Sequence, residues 1–304
     1  MKKHILLFGL GLLTLTSFVA GQKPNASVGS IDFIPALSSR FVDARSIAIW
    51  LPRGYSPNKK YKVIYLQDGQ NLFDSSTTWN HQEWGIDEHL QQLIDNKQIE
   101  PCIAVGIWNN GSKRHIEYFP QKPFESLDHP FQDSLIHQTK RNAETPMFAG
   151  EIISEDYLLF LIKELIPYVE KRYSVSHKAK DRIIAGASMG GLISWYAALE
   201  YPRIFGNAAC FSTHWPGIWP ADDPKKKIFH AFLTYARSHQ SKMTHWYFDH
   251  GTAGLDQYYD AYQKAMDALY MKNPHFKSLV FEGFDHSEMA WSHHFEQAII
   301  HLWK

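Results

Sequence analysis

The chain has 304 residues, 44% of them hydrophobic, and 31 Lys and Arg residues balance 31 Asp and Glu residues. This composition excludes a disordered chain, and the lack of excess positive charge argues against nucleic acid as a main partner. Ten Trp, fifteen Tyr and nineteen Phe residues suit a well-filled core. Some of them could also line a site for aromatic or sugar-like ligands.

The N-terminus resembles an export signal. A short basic start precedes the mostly apolar run 5–20, and small residues stand at the end of that run. This layout predicts a secretory signal peptide over 1–21, cleaved after Gly21, and a periplasmic or extracellular mature protein. The run is short for a bilayer span of about 20 residues, so we expect no stable membrane insertion after cleavage. The mature chain, 22–304, is predicted to form one catalytic domain.

Short β-rich runs alternate with helical patterns along the mature chain. The predicted strands are 44–51, 61–66, 102–108, 182–185, 207–212, 245–248 and 278–281. The predicted helices are 86–96, 157–173, 192–200, 258–270 and 293–303. Such alternation predicts an α/β fold whose mostly parallel sheet is covered by helices on both faces. Cys102 and Cys210 fall on strands that are not neighbours, so we expect two buried free thiols.

Two long stretches, 109–153 and 214–242, do not follow this alternation. Long connections in a compact domain are often functional loops. Both leave the end of the sheet at which open α/β sheets bind ligands. We therefore expect two long loop insertions that form the walls of a substrate site.

The segment 186–191 (Gly-Ala-Ser-Met-Gly-Gly) carries the strongest chemical signal. It follows a buried strand and precedes a helix, which is the setting of a nucleophile elbow. The helix dipole would favour an anionic intermediate at Ser188. We therefore predict that Ser188 is a catalytic nucleophile, and the alternative is a structural glycine turn.

A serine nucleophile needs a base, which in this topology follows the last strand. His286 stands there and is the predicted base. His293 and His294 are rivals, but they fall inside the final helix, where side chains point away from the end of the sheet.

The acid should follow the preceding strand, and two aspartates qualify. Asp256 follows a glycine turn and is preferred, while Asp249 at the strand end is the alternative. Asp256 could instead cap the next helix. Asp285 is a poor candidate, because neighbouring residues rarely bring their side chains face to face.

An oxyanion intermediate requires backbone N–H donors. Met189, directly after the nucleophile, should supply one. The second should come from the loop after the strand 61–66. Gln70 is the predicted donor there, with Gly69 as the second choice. An ordinary glycine turn is the other interpretation of this loop.

Several segments together resemble the "Putative esterase" family of α/β-hydrolases. They are the DGQNLF loop within 65–73, the run 164–173, the segment 186–191, and the H-x-E-x-x-W ending at 286–291. That family includes feruloyl and acetylxylan esterases, S-formylglutathione hydrolases, siderophore esterases and mycolyltransferases. The resemblance implies an α/β-hydrolase fold and a Ser-His-acid serine hydrolase without metal or cofactor. It extends to Ser188 and His286 directly, and less directly to the acid, because the spacing from glycine to acid is longer here.

The predicted activity is a secreted serine carboxylesterase that removes acyl groups, acetyl or feruloyl, from polysaccharide. An alternative is a siderophore esterase that opens a trilactone. Basic residues at 113–114 and 225–227 could face its anionic iron chelate, although a solvated charged surface is the preferred interpretation of these residues. A third possibility is a carbohydrate-binding homologue without catalysis. The predicted partner is in each case a small-molecule or polysaccharide ester, with no nucleic acid.

Overall fold

The computed structural model describes residues 21–303. Apart from Gly21, the predicted signal peptide therefore lies outside the described residues. Across this range, no helix combines the length and the apolar character that a membrane crossing requires.

An eight-stranded sheet in the order β1-β2-β4-β3-β5-β6-β7-β8 forms the centre of the molecule. β2 pairs antiparallel with β1 and β4, and all other neighbours are parallel. The mostly parallel sheet predicted from the sequence is therefore confirmed. The strands are β1 (Ser30–Leu37), β2 (Arg45–Leu51), β3 (Lys62–Gln67), β4 (Cys102–Ile107), β5 (Arg182–Ala187), β6 (Asn207–Phe211), β7 (His245–Gly251) and β8 (Phe276–Phe281).

The edge strand β1 was not predicted. Only Ile31 is buried along it, and Pro35 interrupts its hydrophobic pattern. Proline is tolerated on an edge strand, where one side of the backbone has no partner. The sequence therefore lacks the buried run that marked the inner strands.

Helices cover both faces of the sheet, as predicted. They are α1 (Ile86–Asp95), α2 (Arg114–Tyr118), α3 (Gln121–Glu125), α4 (His129–Gln138), α5 (Ser154–Phe160), α6 (Ile166–Arg172), α7 (Met189–Glu200), α8 (Lys227–His239), α9 (Asp260–Tyr270) and α10 (Glu288–Trp303). α1 and α10 pack on one face, and the helices from α2 to α9 contribute to the core on the other. Alternate residues of β2 point into these two cores, as the pleat of a strand requires.

The expectation of two long loops was wrong in part. The stretch 109–153 contains α2, α3 and α4, and the stretch 214–242 contains α8. α8 buries Ile228, Phe229, Phe232 and Ala236 at helical spacing, so it packs as an amphipathic helix. α2 and α3 have five residues each, too few for such a pattern to stand out, and the longer α4 buries only Leu135 and Ile136.

Helix ends also differ from the prediction. The helix predicted over 157–173 runs from α5 through one π turn, Leu161–Leu165, into α6. The helix after the Ser188 turn begins at Met189, and the last helix begins at Glu288. Cys102 and Cys210 are buried free thiols on β4 and β6, which β3 and β5 separate, as expected.

Candidate active site

Ser188 lies in a sharp turn between β5 and α7. Its backbone has φ 57° and ψ −123°, a conformation that costs a non-glycine residue free energy. Three backbone hydrogen bonds hold the turn: Ser188 N–H donates to Phe211 (3.0 Å), and the Ser188 carbonyl accepts from Leu192 (3.1 Å) and His214 (3.2 Å). The surrounding structure therefore fixes a strained serine at the start of a helix.

Glycines make room for this turn. A β-carbon on Gly186 would lie 2.6 Å from the carbonyl carbon and oxygen of Gly190. A β-carbon on Gly190 would lie 2.9 Å from a carboxylate oxygen of Asp68. Close packing therefore requires a glycine at both positions, against the backbone at Gly186 and against side chains at Gly190.

His286 follows β8 and forms a short hydrogen bond with Asp256. The distance from His286 Nδ1 to Asp256 Oδ1 is 2.6 Å. The imidazole stays partly accessible, with 13% of its side chain exposed, whereas the Asp256 side chain is fully buried. The structure thus brings the preferred base and the preferred acid together.

Three donors surround the Asp256 carboxylate. Besides His286, the Ser212 hydroxyl donates to Oδ2 at 2.6 Å and the Gly251 N–H donates to the same oxygen at 2.7 Å. Burial alone would raise the pKa of Asp256, but these hydrogen bonds and the neighbouring imidazole outweigh burial and lower it. Asp256 is therefore ionised at neutral pH.

The alternative acid, Asp249, has other neighbours. Its Oδ1 accepts from the Ser212 N–H at 3.2 Å, and its Oδ2 lies 3.5 Å from Nδ1 of His294. Burial raises the pKa of Asp249, although the nearby His294 opposes this effect. In this structure Asp249 contacts His294 rather than His286, because β7 directs the Asp249 side chain towards α10.

The two rival histidines lie on α10, as expected. His294 is fully buried and stacks on Phe281, with 3.5 Å between ring centroids. His293 stacks on Phe284 at 4.7 Å. The poor acid candidate, Asp285, accepts from the Ser287 hydroxyl on the surface. Among the described residues, neither rival histidine lines the cleft that contains His286.

Ser188 and His286 share one cleft of about 500 Å³. Gln70, the predicted second oxyanion donor, lies in its wall. Met189 begins α7, so its N–H is among those without a partner inside the helix. Gly69 instead lies against β4, where a β-carbon would come within 2.6 Å of the Gly106 backbone. This placement favours Gln70 over Gly69 as the donor.

A charged pair fixes the loop that carries Gln70. Arg114 donates to both carboxylate oxygens of Asp68 at 2.7 Å, and the Asn109 side chain adds a third donor at 2.7 Å. Asp68 itself has a left-handed backbone, with φ 56°. Arg114 comes from the stretch 109–153, so this stretch does form a wall of the cleft.

Several cleft residues were not predicted from the sequence. Glu288 accepts from the side-chain amides of Asn71 (3.0 Å) and Asn80 (2.8 Å). Trp79 and Arg141 also line the cleft. The Trp79 side chain is 83% exposed, which is unusual for so large an apolar group. Only the glutamate had a signal, its place in the H-x-E-x-x-W ending.

Another histidine, His214, lies close to the site. The His214 ring contacts the hydroxyl of Tyr259, and its backbone N–H donates to Ser188. Burial, the nearby His286 and Arg114 lower the pKa of His214 to about 3. His214 is therefore neutral at physiological pH and supports the turn rather than competing with His286 for the proton.

Comparisons with known proteins identify the family of this chain. The family model described as "Putative esterase" matches residues 38–302. An uncharacterised Bacillus subtilis protein, YbbA, is 28% identical over 182 residues, which are 59% of this chain and 61% of the relative. The alignment thus leaves more than a third of that relative unmatched.

Two solved structures share the fold. A feruloyl esterase module from Clostridium thermocellum, complexed with sinapinate, is 20% identical with a TM-score of 0.60, over 92% of this chain and 89% of that one. The enterobactin esterase of Shigella flexneri is 19% identical with a TM-score of 0.65, over 92% of this chain and 61% of that one. The predicted α/β-hydrolase fold is therefore confirmed, and since the family model covers most of the sequence, this chain belongs to the "Putative esterase" family.

Proposed function

We propose that the protein is a serine carboxylesterase with Ser188 as nucleophile, His286 as base and Asp256 as acid. The observation that carries the proposal is the cleft in which Ser188 and His286 lie together, with Asp256 hydrogen-bonded behind the imidazole. Family membership supports ester hydrolysis as the reaction class.

The roles follow from hydrogen-bonding capacity. Asp256 accepts the Nδ1 proton of His286, which leaves Nε2 free to take the proton of the Ser188 hydroxyl as the oxygen attacks the ester. The N–H groups of Met189 and Gln70 would receive the oxyanion. His286 then returns the proton to the leaving alcohol, and water hydrolyses the acyl-enzyme by the same steps in reverse order.

The test is hydrolysis of p-nitrophenyl acetate. Ser188→Ala should lower kcat by about 10⁴-fold or more, because nucleophile and base act as a unit. Ser238→Ala is the control, since Ser238 is exposed on α8 and bonds to its own helix. An unchanged rate in Ser188→Ala would exclude this mechanism.

For the substrate, we propose an acyl ester of a polysaccharide. Trp84 and Trp291 line the cleft with ring centroids 5.5 Å apart, and the exposed Trp79 lies on the same cleft. Such a wall suits an aromatic acyl group such as feruloyl, and a single exposed indole is a platform for a sugar ring. The feruloyl esterase module that shares the fold supports this choice.

Trp79→Ala tests the polysaccharide part of the proposal. The variant should raise KM for a feruloylated oligosaccharide by about tenfold, the loss of one stacking contact, and leave methyl ferulate hydrolysis unchanged. Met243→Ala removes an equally exposed apolar side chain outside the cleft and serves as control. An equal KM in both variants would argue against a sugar contact at Trp79. Binding of the oligosaccharide without hydrolysis by wild type would favour the non-catalytic alternative.

A trilactone siderophore is the second candidate. Arg114 and Arg141 both line the cleft, and among residues 21–303 Arg141 forms no salt bridge. Of the other basic residues considered for this role, Lys113 pairs with Asp43 and Lys227 with Asp128. Neither Lys113 nor any lysine of 225–227 lines the cleft. Rates on methyl ferulate, acetylated xylan and a catecholate trilactone, compared in one panel, decide between the candidates. If kcat/KM were highest on the trilactone, the siderophore ester would replace the polysaccharide ester as the preferred substrate.

Export is also part of the proposal, because a polysaccharide substrate is met outside the cytoplasm. It is supported by the basic start and apolar run of the N-terminus. Expression of the full chain, followed by fractionation and N-terminal sequencing, should give a mature protein that begins after Gly21. A cytoplasmic protein with an intact N-terminus would contradict this.

A further inference from the structure

Ser212 lies behind the proposed catalytic residues and touches neither the cleft nor a substrate position. It follows β6, is fully buried, and has a positive φ of 39°. Its N–H donates to the backbone oxygen of Asp249 at 2.9 Å and also approaches the Asp249 carboxylate at 3.2 Å. The strained backbone of Ser212 is thus anchored from its own N–H.

The Ser212 hydroxyl connects two groups around His286. It donates to Oδ2 of Asp256 at 2.6 Å, and it accepts from Nε1 of Trp291 at 3.0 Å. The Trp291 ring in turn meets the His286 ring edge to face, with 5.0 Å between centroids. Trp291, Ser212, Asp256 and His286 therefore form a closed ring of contacts.

The donor and the acceptor in each hydrogen bond of this ring follow from the chemistry of the side chains. An indole N–H can only donate, and a serine hydroxyl has a single proton. Because the Ser212 oxygen accepts from Trp291, its proton is available for Asp256. The ionised carboxylate of Asp256 can only accept hydrogen bonds. Ser212 and His286 each supply a donor to it.

We infer that Ser212 is a positioning residue that acts through Asp256, with Trp291 orienting its hydroxyl. The inference rests on the proposed function. Ser212 holds the carboxylate so that Oδ1 faces His286, and it takes up part of the negative charge through Oδ2. Ser212 thereby sets how strongly the pair Asp256–His286 retains a proton.

The variant Ser212→Ala tests this role. Loss of a donor leaves more negative charge on the carboxylate, so the protonated imidazole becomes more favourable and the active base form appears only at higher pH. In a plot of kcat/KM against pH, the acid limb, over which activity rises with pH, should move to higher pH by about half a unit or more. The value of kcat should fall about tenfold, because one hydrogen bond to a charged group is lost. KM should change little.

The other titratable groups near His286 do not explain such a shift. His214 has a pKa lowered to about 3, and burial raises the pKa of Tyr259 far above neutrality. Arg114 remains charged throughout, and Glu288, which lines the same cleft, keeps its hydrogen bonds from Asn71 and Asn80. These groups are present in wild type and variant alike, so a moved limb reports on the Asp256–His286 pair.

Two further variants make the test specific. Ser46→Ala removes another buried serine hydroxyl, which bonds to the carbonyl of Pro35 on the far side of the sheet, and should leave the limb in place. Trp291→Phe removes the N–H that orients Ser212 and should move the limb in the same direction by less. Folding of each variant is checked by its circular dichroism spectrum.

The outcomes separate this inference from the proposed function. A wild type without esterase activity, or an active Ser188→Ala variant, overturns the proposed function. An active wild type whose Ser212→Ala variant keeps the acid limb in place, even at a reduced rate, overturns the role of Ser212 alone. If the role of Ser212 were purely structural, the variant would lower kcat/KM by the same factor at every pH.

Discussion

Two histidine–aspartate pairs lie on neighbouring elements of this protein, and only one of them has the features of a catalytic pair. His286 and Asp256 are 2.6 Å apart, and the imidazole reaches a cleft. His294 and Asp249 are 3.5 Å apart, and both are fully buried. The same residue types therefore occupy two very different environments.

The carboxylates differ as much as the histidines. Asp256 has hydrogen bonds to both oxygens, and its pKa is lowered. Asp249 lacks a hydrogen-bond partner at Oδ2 among the described residues, and burial raises its pKa. Hydrogen-bond donors around the aspartate and access of the histidine to the cleft distinguish the proposed catalytic pair, His286–Asp256, from the buried pair, His294–Asp249.

Removal of each histidine should give the largest contrast. We expect His286→Ala to lower kcat on p-nitrophenyl acetate by about 10⁴-fold or more, because the proton of Ser188 loses its acceptor. The melting temperature should fall less than that of His294→Ala, since Asp256 keeps its hydrogen bonds from Ser212 and Gly251. Steady-state kinetics and thermal unfolding measure the two effects.

His294→Ala is the matched variant and should behave in the opposite way. It leaves a cavity beside Phe281 and an unpaired buried Asp249, so stability should fall by about 3 kcal/mol. Activity per folded molecule should stay within a few fold of wild type. A loss of kcat as large as that of His286→Ala would show that the buried pair takes part in catalysis.

The two aspartates give the next largest contrast. Asp256→Asn preserves shape but can no longer hold His286 in the tautomer with a proton on Nδ1, so kcat should fall about 10³- to 10⁴-fold. Asp249→Asn should change kcat by less than about threefold, because its carboxylate faces His294. Single-turnover kinetics on a p-nitrophenyl ester measure acylation directly in both proteins.

The reverse ranking of these two variants would assign the acid to Asp249. It would require His286 to change partners in solution. Equal, moderate losses would instead indicate that both carboxylates act only through Ser212, which contacts each of them.

The chain order of the elements explains what the sequence could predict. In a parallel sheet the residues after β5, β7 and β8 meet at one edge, so Ser188, an acid and His286 could be assigned from position alone. Position after a glycine turn favoured Asp256 but left Asp249 as the alternative. That choice depends on which way each side chain leaves its backbone, which the spacing of hydrophobic residues around β7 does not reveal.

Contacts between distant segments account for the rest. Ser212 meets Asp256 and Trp291 across 44 and 79 residues, and a lone serine after a strand has no pattern that marks it. Trp79 lies outside the regular elements, and its exposure follows from tertiary structure. β1 was missed because an edge strand needs no continuous buried run.

The smallest expected effect is the pH dependence of folding stability, to which Asp249 and Asp256 contribute with opposite signs. The folded-state pKa of Asp249 is raised above its ordinary value of 3.8. Its protonation therefore stabilises the fold at low pH, and this contribution is lost as pH rises through the raised pKa. The pKa of Asp256 is lowered, so its contribution is present above pH 3.8 and lost as pH falls through the lowered value.

Urea unfolding of the Asn variants at several pH values should reveal these signs. Relative to wild type, Asp249→Asn should gain stability as pH rises from about 4 to about 7. Asp256→Asn should show a constant deficit over that range, which shrinks only below about pH 4. Parallel curves for Asp249→Asn and wild type would mean that Asp249 binds its proton equally well folded and unfolded. The 3.5 Å contact with His294 would then hold an ionised carboxylate, and the two pairs would differ in access to the cleft rather than in charge.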